Sequence, residues 1–148
     1  MGLDMYLYAK RYRSTLRKED IEYPEELKDF EVGYRSVYEE YKIGYWRKFN
    51  ALHNFIVEKC ADGVDDCRET YIPEEIIKEI VKNCEEILEN NSKEKAEELM
   101  PTKSGFFFGS LDYDEYYFQD LEYTYNLFKK ILDDGLTGEY DIMYNASW

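Results

Sequence analysis

The pattern of apolar and polar positions changes period several times along this chain. Residues 4–12, Asp4-Met5-Tyr6-Leu7-Tyr8-Ala9-Lys10-Arg11-Tyr12, are dense in aromatic side chains and hold no breaker, which predicts a strand. From Arg13 to Asp29 charge dominates and Pro24 intervenes, so a surface loop is expected, with a short helix from Glu25. Glu31 to Tyr45 mixes β-formers with Gly33 and Gly44 and reads as a strand pair or an irregular hairpin. From Trp46 to about Cys60 the spacing turns helical, with Phe49, Leu52, Ile56 and Cys60 on one stripe and Asp62-Gly63 as the stop. Asp66 to Tyr71 suits either a short strand or a loop.

Pro73 opens a second helix, since a proline is tolerated in a first turn. Its stripe is Ile76, Ile77, Ile80, Val81, Cys84, Ile87 and Leu88, and Asn90-Asn91 ends it. A short helix from Lys93 to Leu99 stops before Pro101. Gly105 and Gly109 bracket three phenylalanines in a turn. Asp112 and Glu115 have capping-box spacing and start the longest helix, whose inner face is Tyr117, Leu121, Thr124, Phe128 and Ile131. Gly135 supplies its C-terminal cap, and Glu139 to Tyr144 forms a second aromatic strand.

Strands near both termini with helices between them predict a single α+β domain over residues 1–148: an antiparallel sheet that includes both terminal strands, packed against about three main helices. That length is enough to bury a core, and the low aliphatic content implies that much of it is aromatic. No run approaches the roughly 20 apolar residues of a spanning helix, and Met1-Gly2-Leu3-Asp4 does not open a secretory signal. Cys60, Cys67 and Cys84 are odd in number and match no zinc or redox spacing, which points to a reducing cytoplasm without a membrane association.

Charge alters this picture more than any motif does. Acidic side chains outnumber basic ones 33 to 19, a formal net charge of −14. A duplex-binding protein carries a basic stripe that displaces counterions, so direct binding to duplex nucleic acid is not expected. Excess charge of one sign also keeps a small protein soluble, or imitates nucleic acid in the basic groove of another protein. Aromatic residues make up 18% of the chain, with 16 tyrosines, a supply that suits stacking on planar ligands as well as packing.

Two stretches combine groups that bind small molecules. On a helix from Trp46, residues Trp46, Asn50 and His53 share a face, and Arg47 and Lys48 fall in its first turn. There Trp46 or a tyrosine such as Tyr45 would stack a base, Asn50 and His53 would read polar edges, and Arg47 with Lys48 would hold phosphate or carboxylate. The second stretch runs from Pro101 to Ser110, where Thr102, Lys103, Ser104, Gly105 and Phe107, with Tyr113 beyond, surround small residues whose N–H groups receive anionic oxygens. No Gly-Lys-Ser/Thr follows the glycines, so this is not a P-loop. Each residue also has a structural alternative: Trp46 as core, His53 as a satisfied buried histidine, the phenylalanines as plugs. Asp65-Asp66-Cys67-Arg68-Glu69 and Asp112-x-Asp114 lack the spacing of a calcium loop, and no metal or cofactor is expected.

Met1-Gly2-Leu3-Asp4-Met5-Tyr6-Leu7, Gly44-Tyr45-Trp46-Arg47-Lys48 with Asn50 and His53, Asp62-Gly63, Asp65-Asp66-Cys67, Ser104-Gly105-Phe106-Phe107-Phe108-Gly109-Ser110, Tyr113-Asp114-Glu115 and Ala146-Ser147-Trp148 together resemble a widespread family of small phage proteins. The resemblance spans nearly the whole chain. It departs at Phe49, where the family has a small residue, and at Lys103, where it often has Gln, so a required role for that cation is in doubt. It implies a phage accessory protein in a bacterial cytoplasm and supplies no biochemical activity. By analogy with phage proteins that counter host defence, the expected function is non-catalytic sequestration of a nucleotide-like immune signal by a homo-oligomer. The alternatives are an acidic inhibitor of a host defence protein and an enzyme that degrades the signal.

Overall fold

The computed structural model describes residues 2–17, 19 and 22–148. Met1, Lys18, Asp20 and Ile21 lie outside them, so the loop expected over residues 13–29 is described only in part. The elements follow in the order β1 (Asp4–Arg17), a 3-10 turn (Glu25–Leu27), β2 (Tyr34–Arg47), α1 (Asn50–Cys60), β3 (Thr70–Tyr71), α2 (Glu74–Glu89), α3 (Lys93–Leu99), α4 (Glu115–Asp133), a second 3-10 turn (Leu136–Gly138) and β4 (Asp141–Ser147). The four strands form one antiparallel sheet in the order β2-β1-β4-β3, with both terminal strands in its centre. The fold is α+β, as the sequence predicts.

Alternation within β1 sets the two faces of the sheet. Leu3, Met5, Leu7 and Ala9 are buried while Tyr6, Tyr8 and Lys10 point the other way, the two-residue period of a strand covered on one side. The register places Trp46 and Ala146 beside Met5, and Gly44 and Tyr144 beside Leu7, so the same face continues across the sheet. These residues join Leu52, Ile56, Ile77, Ile80, Ile87, Leu121 and Phe128 from the helices in one core. Gly44 lies where α4 approaches the sheet, since a Cβ there would meet the tip of the Leu127 side chain at 2.5 Å.

The aromatic residues are distributed differently from the expectation. Most of the tyrosines lie outside the core, and Tyr117 and Tyr144 are the two that are buried. On the helix-free face, Tyr45 packs on Tyr6 at 5.4 Å, Tyr6 on Tyr8 at 6.3 Å, and Lys42 lies over Tyr6. Tyrosine tolerates this position because its ring covers the sheet while its hydroxyl stays in water.

Several expected boundaries move. Arg13 to Arg17 belong to β1 rather than to a loop: Arg13 is bulged out of the register, and Ser14 to Arg17 pair with Tyr34 to Val37. Residues 34–47 form one long strand instead of a strand pair. That strand extends through Trp46 and Arg47, so α1 starts at Asn50 and the helical face expected for Trp46, Asn50 and His53 does not exist. The helix predicted from Asp112 is capped by Asp114, whose side chain accepts from the Tyr117 N–H. Pro73 precedes the first turn of α2 rather than lying in it. The predicted inner face of α4 is buried in full, and Gly135 adopts the left-handed conformation that follows its end.

Trp46 joins α4 to the sheet by the one polar atom it carries. Its indole N–H donates to Thr124 Oγ1 at 2.9 Å, and that hydroxyl donates in turn to the Asp120 carbonyl at 2.7 Å. Both side chains are buried, so nothing else replaces the acceptor. Thr124→Val keeps the shape and strands the indole N–H. It should cost about 1–3 kcal/mol of unfolding free energy, read from the denaturant midpoint, while Thr124→Ser should retain most of it.

Candidate functional site

Residues 101–113 cross between α3 and α4 as a strap laid over the start of α1, and one side chain holds it there. Asn50 is the first residue of α1 and is 2% exposed. Its Nδ2 donates to the carbonyls of Phe108 (3.0 Å) and Ser110 (2.9 Å), and its Oδ1 accepts from the Lys103 N–H (2.9 Å). Tyr113 adds a second tie, because its hydroxyl accepts from the Thr102 N–H at 3.0 Å. The turn that brings the chain from β2 to Asn50 has Lys48 at φ 61°, and Gly109 of the strap lies against it at φ +90°. A Cβ on Gly109 would stand 2.9 Å from the Cβ of Lys48, so the strap can pass there only as glycine.

The strap separates two clefts. One, of about 380 Å³, has Arg47, Lys48, Asn50 and Thr102 on its walls, with Asp112, Asp114, Tyr116, Gln119 and Asp120 opposite. The other, of about 290 Å³, has His53, Lys103, Ser104 and Gly105, with Asp65, Phe108 and Trp148. The expected site residues are therefore divided between two places. Four line neither cleft: Trp46 is in the core, Tyr45 is on the open sheet face, Phe107 meets exposed Phe106 edge to face, and Tyr113 faces inward to the strap. Trp46 therefore cannot stack a ligand, and Asn50 has committed its amide to the strap.

His53 is also fully engaged. Nδ1 meets the Tyr144 hydroxyl at 2.5 Å, and Nε2 meets Asp65 Oδ2 at 2.9 Å. Burial pushes the Tyr144 hydroxyl well above its ordinary pKa, with the Asp65 charge adding to this, so it keeps its proton. The hydroxyl therefore donates its hydrogen bond to Nδ1, which leaves Nε2–H to donate to Asp65. Asp65 Oδ1 then accepts from the Trp148 indole at 3.2 Å. The chain Tyr144–His53–Asp65–Trp148 fastens the end of β4 to α1. Cys67 does not partner His53; its carbonyl accepts from Asn145. Burial raises the Cys84 thiol to about 12 and the Cys60 thiol to about 11, far from a reactive thiolate.

In the first cleft the free groups are few. Arg47 donates to Asp4 Oδ1 at 3.0 Å, and Tyr45 donates to the same oxygen at 2.6 Å. The Tyr45 hydroxyl, then the Arg47 charge, hold the Asp4 carboxyl below its usual range. Lys48 has no partner for its ammonium among the described residues. Asp120 was not distinguishable in the sequence among 33 carboxylates. It sits partly buried on α4, where desolvation, and secondarily Asp114, raise its carboxyl to about 6. Among the described residues no cluster of three or more His, Cys, Asp or Glu side chains could hold a metal, and no helix is long and apolar enough to cross a membrane.

Comparison with family models, with curated proteins and with solved structures gives no match to this chain.

Two measurements test the site. Asn50→Asp keeps an acceptor for the Lys103 N–H but turns a carboxylate toward two carbonyls, so it should destabilise at least as much as Asn50→Ala, for which about 2–4 kcal/mol is expected from the unpaired groups. Urea unfolding of both variants checks the order. Asp120 binds its proton more tightly folded than unfolded, so its contribution to stability falls as pH rises from about 4 through about 6 and is most unfavourable above that. Asp120→Asn should therefore raise the melting temperature at pH 7–8 and reduce the gain seen on moving to pH 5. The lowered carboxyls of Asp4, Glu39, Asp66 and Glu74 act in the opposite sense, and only at more acid pH.

Proposed function

We propose that this is a phage accessory protein that binds and sequesters a small nucleotide-like molecule, a host immune signal, without transforming it. The observation that carries the reading is the composition of the 380 Å³ cleft, whose lining includes Arg47 and Lys48 together with carboxylates, an amide and an exposed tyrosine. The opening has the size of small-ligand pockets. Tyr116, 74% exposed at its edge, offers a ring for stacking. Lys48, beside Arg47, offers an unpaired ammonium for an anionic oxygen.

Charge restricts the ligand further. Asp112, Asp114 and Asp120 outnumber Arg47 and Lys48 in the cleft, within a chain of net −14. A string of phosphates would be repelled. A ligand with one phosphate-like group and a base edge rich in N–H donors fits better, since Asp120 and Gln119 would accept from that edge. The sequestration reading also draws on the state of the reactive groups: the one imidazole is bonded through both nitrogens, and the half-buried Cys60 and buried Cys84 thiols are held protonated. A second reading, an acidic inhibitor of a host protein, is supported by the glutamates concentrated along α2 and α3.

The test is retention. Purified protein is incubated with lysate from cells whose nucleotide signalling is active, washed, heat-denatured, and the released small molecules are identified by mass spectrometry. Lys48→Ala and Arg47→Ala should each lower retention of the released compound by about tenfold or more, as expected for loss of a charge-assisted hydrogen bond. Retention unchanged by both substitutions overturns the site, and a chemically altered signal in the filtrate overturns sequestration in favour of catalysis.

A further inference from the structure

Most polar side chains of the 380 Å³ cleft are already committed to the fold. Asn50 holds the strap, the Thr102 hydroxyl donates to the Leu111 carbonyl, Asp114 caps α4, and the Tyr117 hydroxyl donates to the Met100 carbonyl. Arg47 is paired with Asp4, and the Gln119 amide donates to Glu115, which leaves its own carbonyl oxygen as an acceptor. Among the described residues, the charged groups of the lining left without a partner are the Lys48 ammonium and the carboxylates of exposed Asp112 and partly buried Asp120.

Asp120 differs from Asp112 in its surroundings. Its backbone carbonyl accepts from Thr124, while its carboxyl oxygens have no donor among the described residues. Burial, and after it the Asp114 charge, push that carboxyl up to about 6, so its ionised form is short of donors at neutral pH. Tyr116 stands four residues earlier on α4, the spacing that makes two helical side chains neighbours on one face, and its ring is exposed. A planar base stacked on that ring presents its edge to the carboxylate. Among the standard bases guanine alone carries two adjacent donors on one edge, N1–H and the 2-amino group. Adenine and cytosine set a donor beside an acceptor, and uracil sets one N–H between two carbonyls. Two parallel N–H donors are what a carboxylate accepts in bidentate fashion.

We propose that the base taken by this cleft is guanine, stacked on Tyr116 and read through N1–H and the 2-amino group by the Asp120 carboxylate, which sets base specificity. The proposal rests on the sequestration reading above and narrows it to one class of nucleotide. Lys48, from the turn between β2 and α1, takes the single phosphate, and the Gln119 carbonyl accepts the second hydrogen of the 2-amino group. Adenine would turn the N1 lone pair toward the carboxylate, leaving two acceptors facing each other. An organic guanidinium compound matches Asp120 as well as guanine does, but it is repelled by Arg47 and Lys48.

Calorimetric titration of the full chain with the monophosphates of guanosine, inosine, adenosine and xanthosine at neutral pH tests this. The wild type should bind the guanosine compound about tenfold or more tighter than the inosine compound, which lacks the 2-amino group, and than the adenosine compound. Asp120→Asn replaces two acceptors by one acceptor and one donor, the complement of N1–H beside the O2 of xanthine. That variant should lose about tenfold or more in affinity for the guanosine compound and prefer the xanthosine compound, with its circular dichroism unchanged. A purely structural role for Asp120 would weaken all four ligands alike. Equal binding of the guanosine, inosine and adenosine compounds overturns the proposal and leaves the cleft a nucleotide site, as does an order of preference that Asp120→Asn leaves unchanged. A wild type that binds none of the four also overturns it, and the retention measurement then decides the sequestration reading separately.

Discussion

The three hydrogen bonds of the Asn50 side chain hold the candidate site together. An amide is the one side chain that donates twice and accepts from a third group within a single planar unit, and here it meets two carbonyls and one N–H of a strap that has no sheet or helix to pair with. Without it, buried backbone groups of the strap would stand unpaired. The shape of both clefts follows from this, since each uses the strap as a wall. The left-handed turn at Lys48 and the glycine at 109 are the steric conditions for the same contact.

A second polar chain serves the opposite edge. Tyr144, His53, Asp65 and Trp148 pass a hydrogen bond from the core to the surface, and each atom in it is used. The arrangement has the composition of a catalytic relay but not its access: His53 and Tyr144 are each 2% exposed. No described buried side-chain nitrogen or oxygen lacks a partner. Polar groups committed in this way specify geometry. What stays free for a ligand is the ammonium of Lys48, which the sequence singles out, together with the carboxyl of Asp120 and the exposed ring of Tyr116, which belong to no motif.

The fold was legible where one face of an element is buried. Residues 4–10 alternate because helices cover one side of the sheet, and the stripe on α4 shows the helical period because its other side is wet. Arg13 to Arg17 looked like a loop because β1 beyond Lys10 has no buried face, so no period marks it. Trp46 to Arg47 looked helical because the stripe of Phe49, Leu52, Ile56 and Cys60 extends back to them without a breaker. Pairing of Arg47 with Asp4 and of Trp46 with Met5 decided otherwise, and neither partner is near in sequence. The left-handed residue that separates strand from helix is a lysine, where a glycine would have signalled the turn. Asp114 rather than Asp112 caps α4 for a similar reason: both have the right side chain, and the strap determines which one reaches the helix end.

The tyrosines and the charge meet in a single constraint. A sheet covered on one side needs residues for its open face that shelter the backbone without becoming a greasy patch, and Tyr6, Tyr8, Tyr45 and Tyr71 meet that need. Their number therefore says less about ligand stacking than composition alone suggested. Acidity is likewise uneven, since α2, α3 and the cleft carry carboxylates while Arg11, Arg13, Arg17 and Arg35 gather where β1 and β2 run beyond β4. On the reading proposed for the cleft, electrostatic selection is local: the ligand brings donors as well as anionic oxygen. A polyphosphate satisfies this requirement by halves, because its oxygens have Lys48 to meet but three aspartates to avoid.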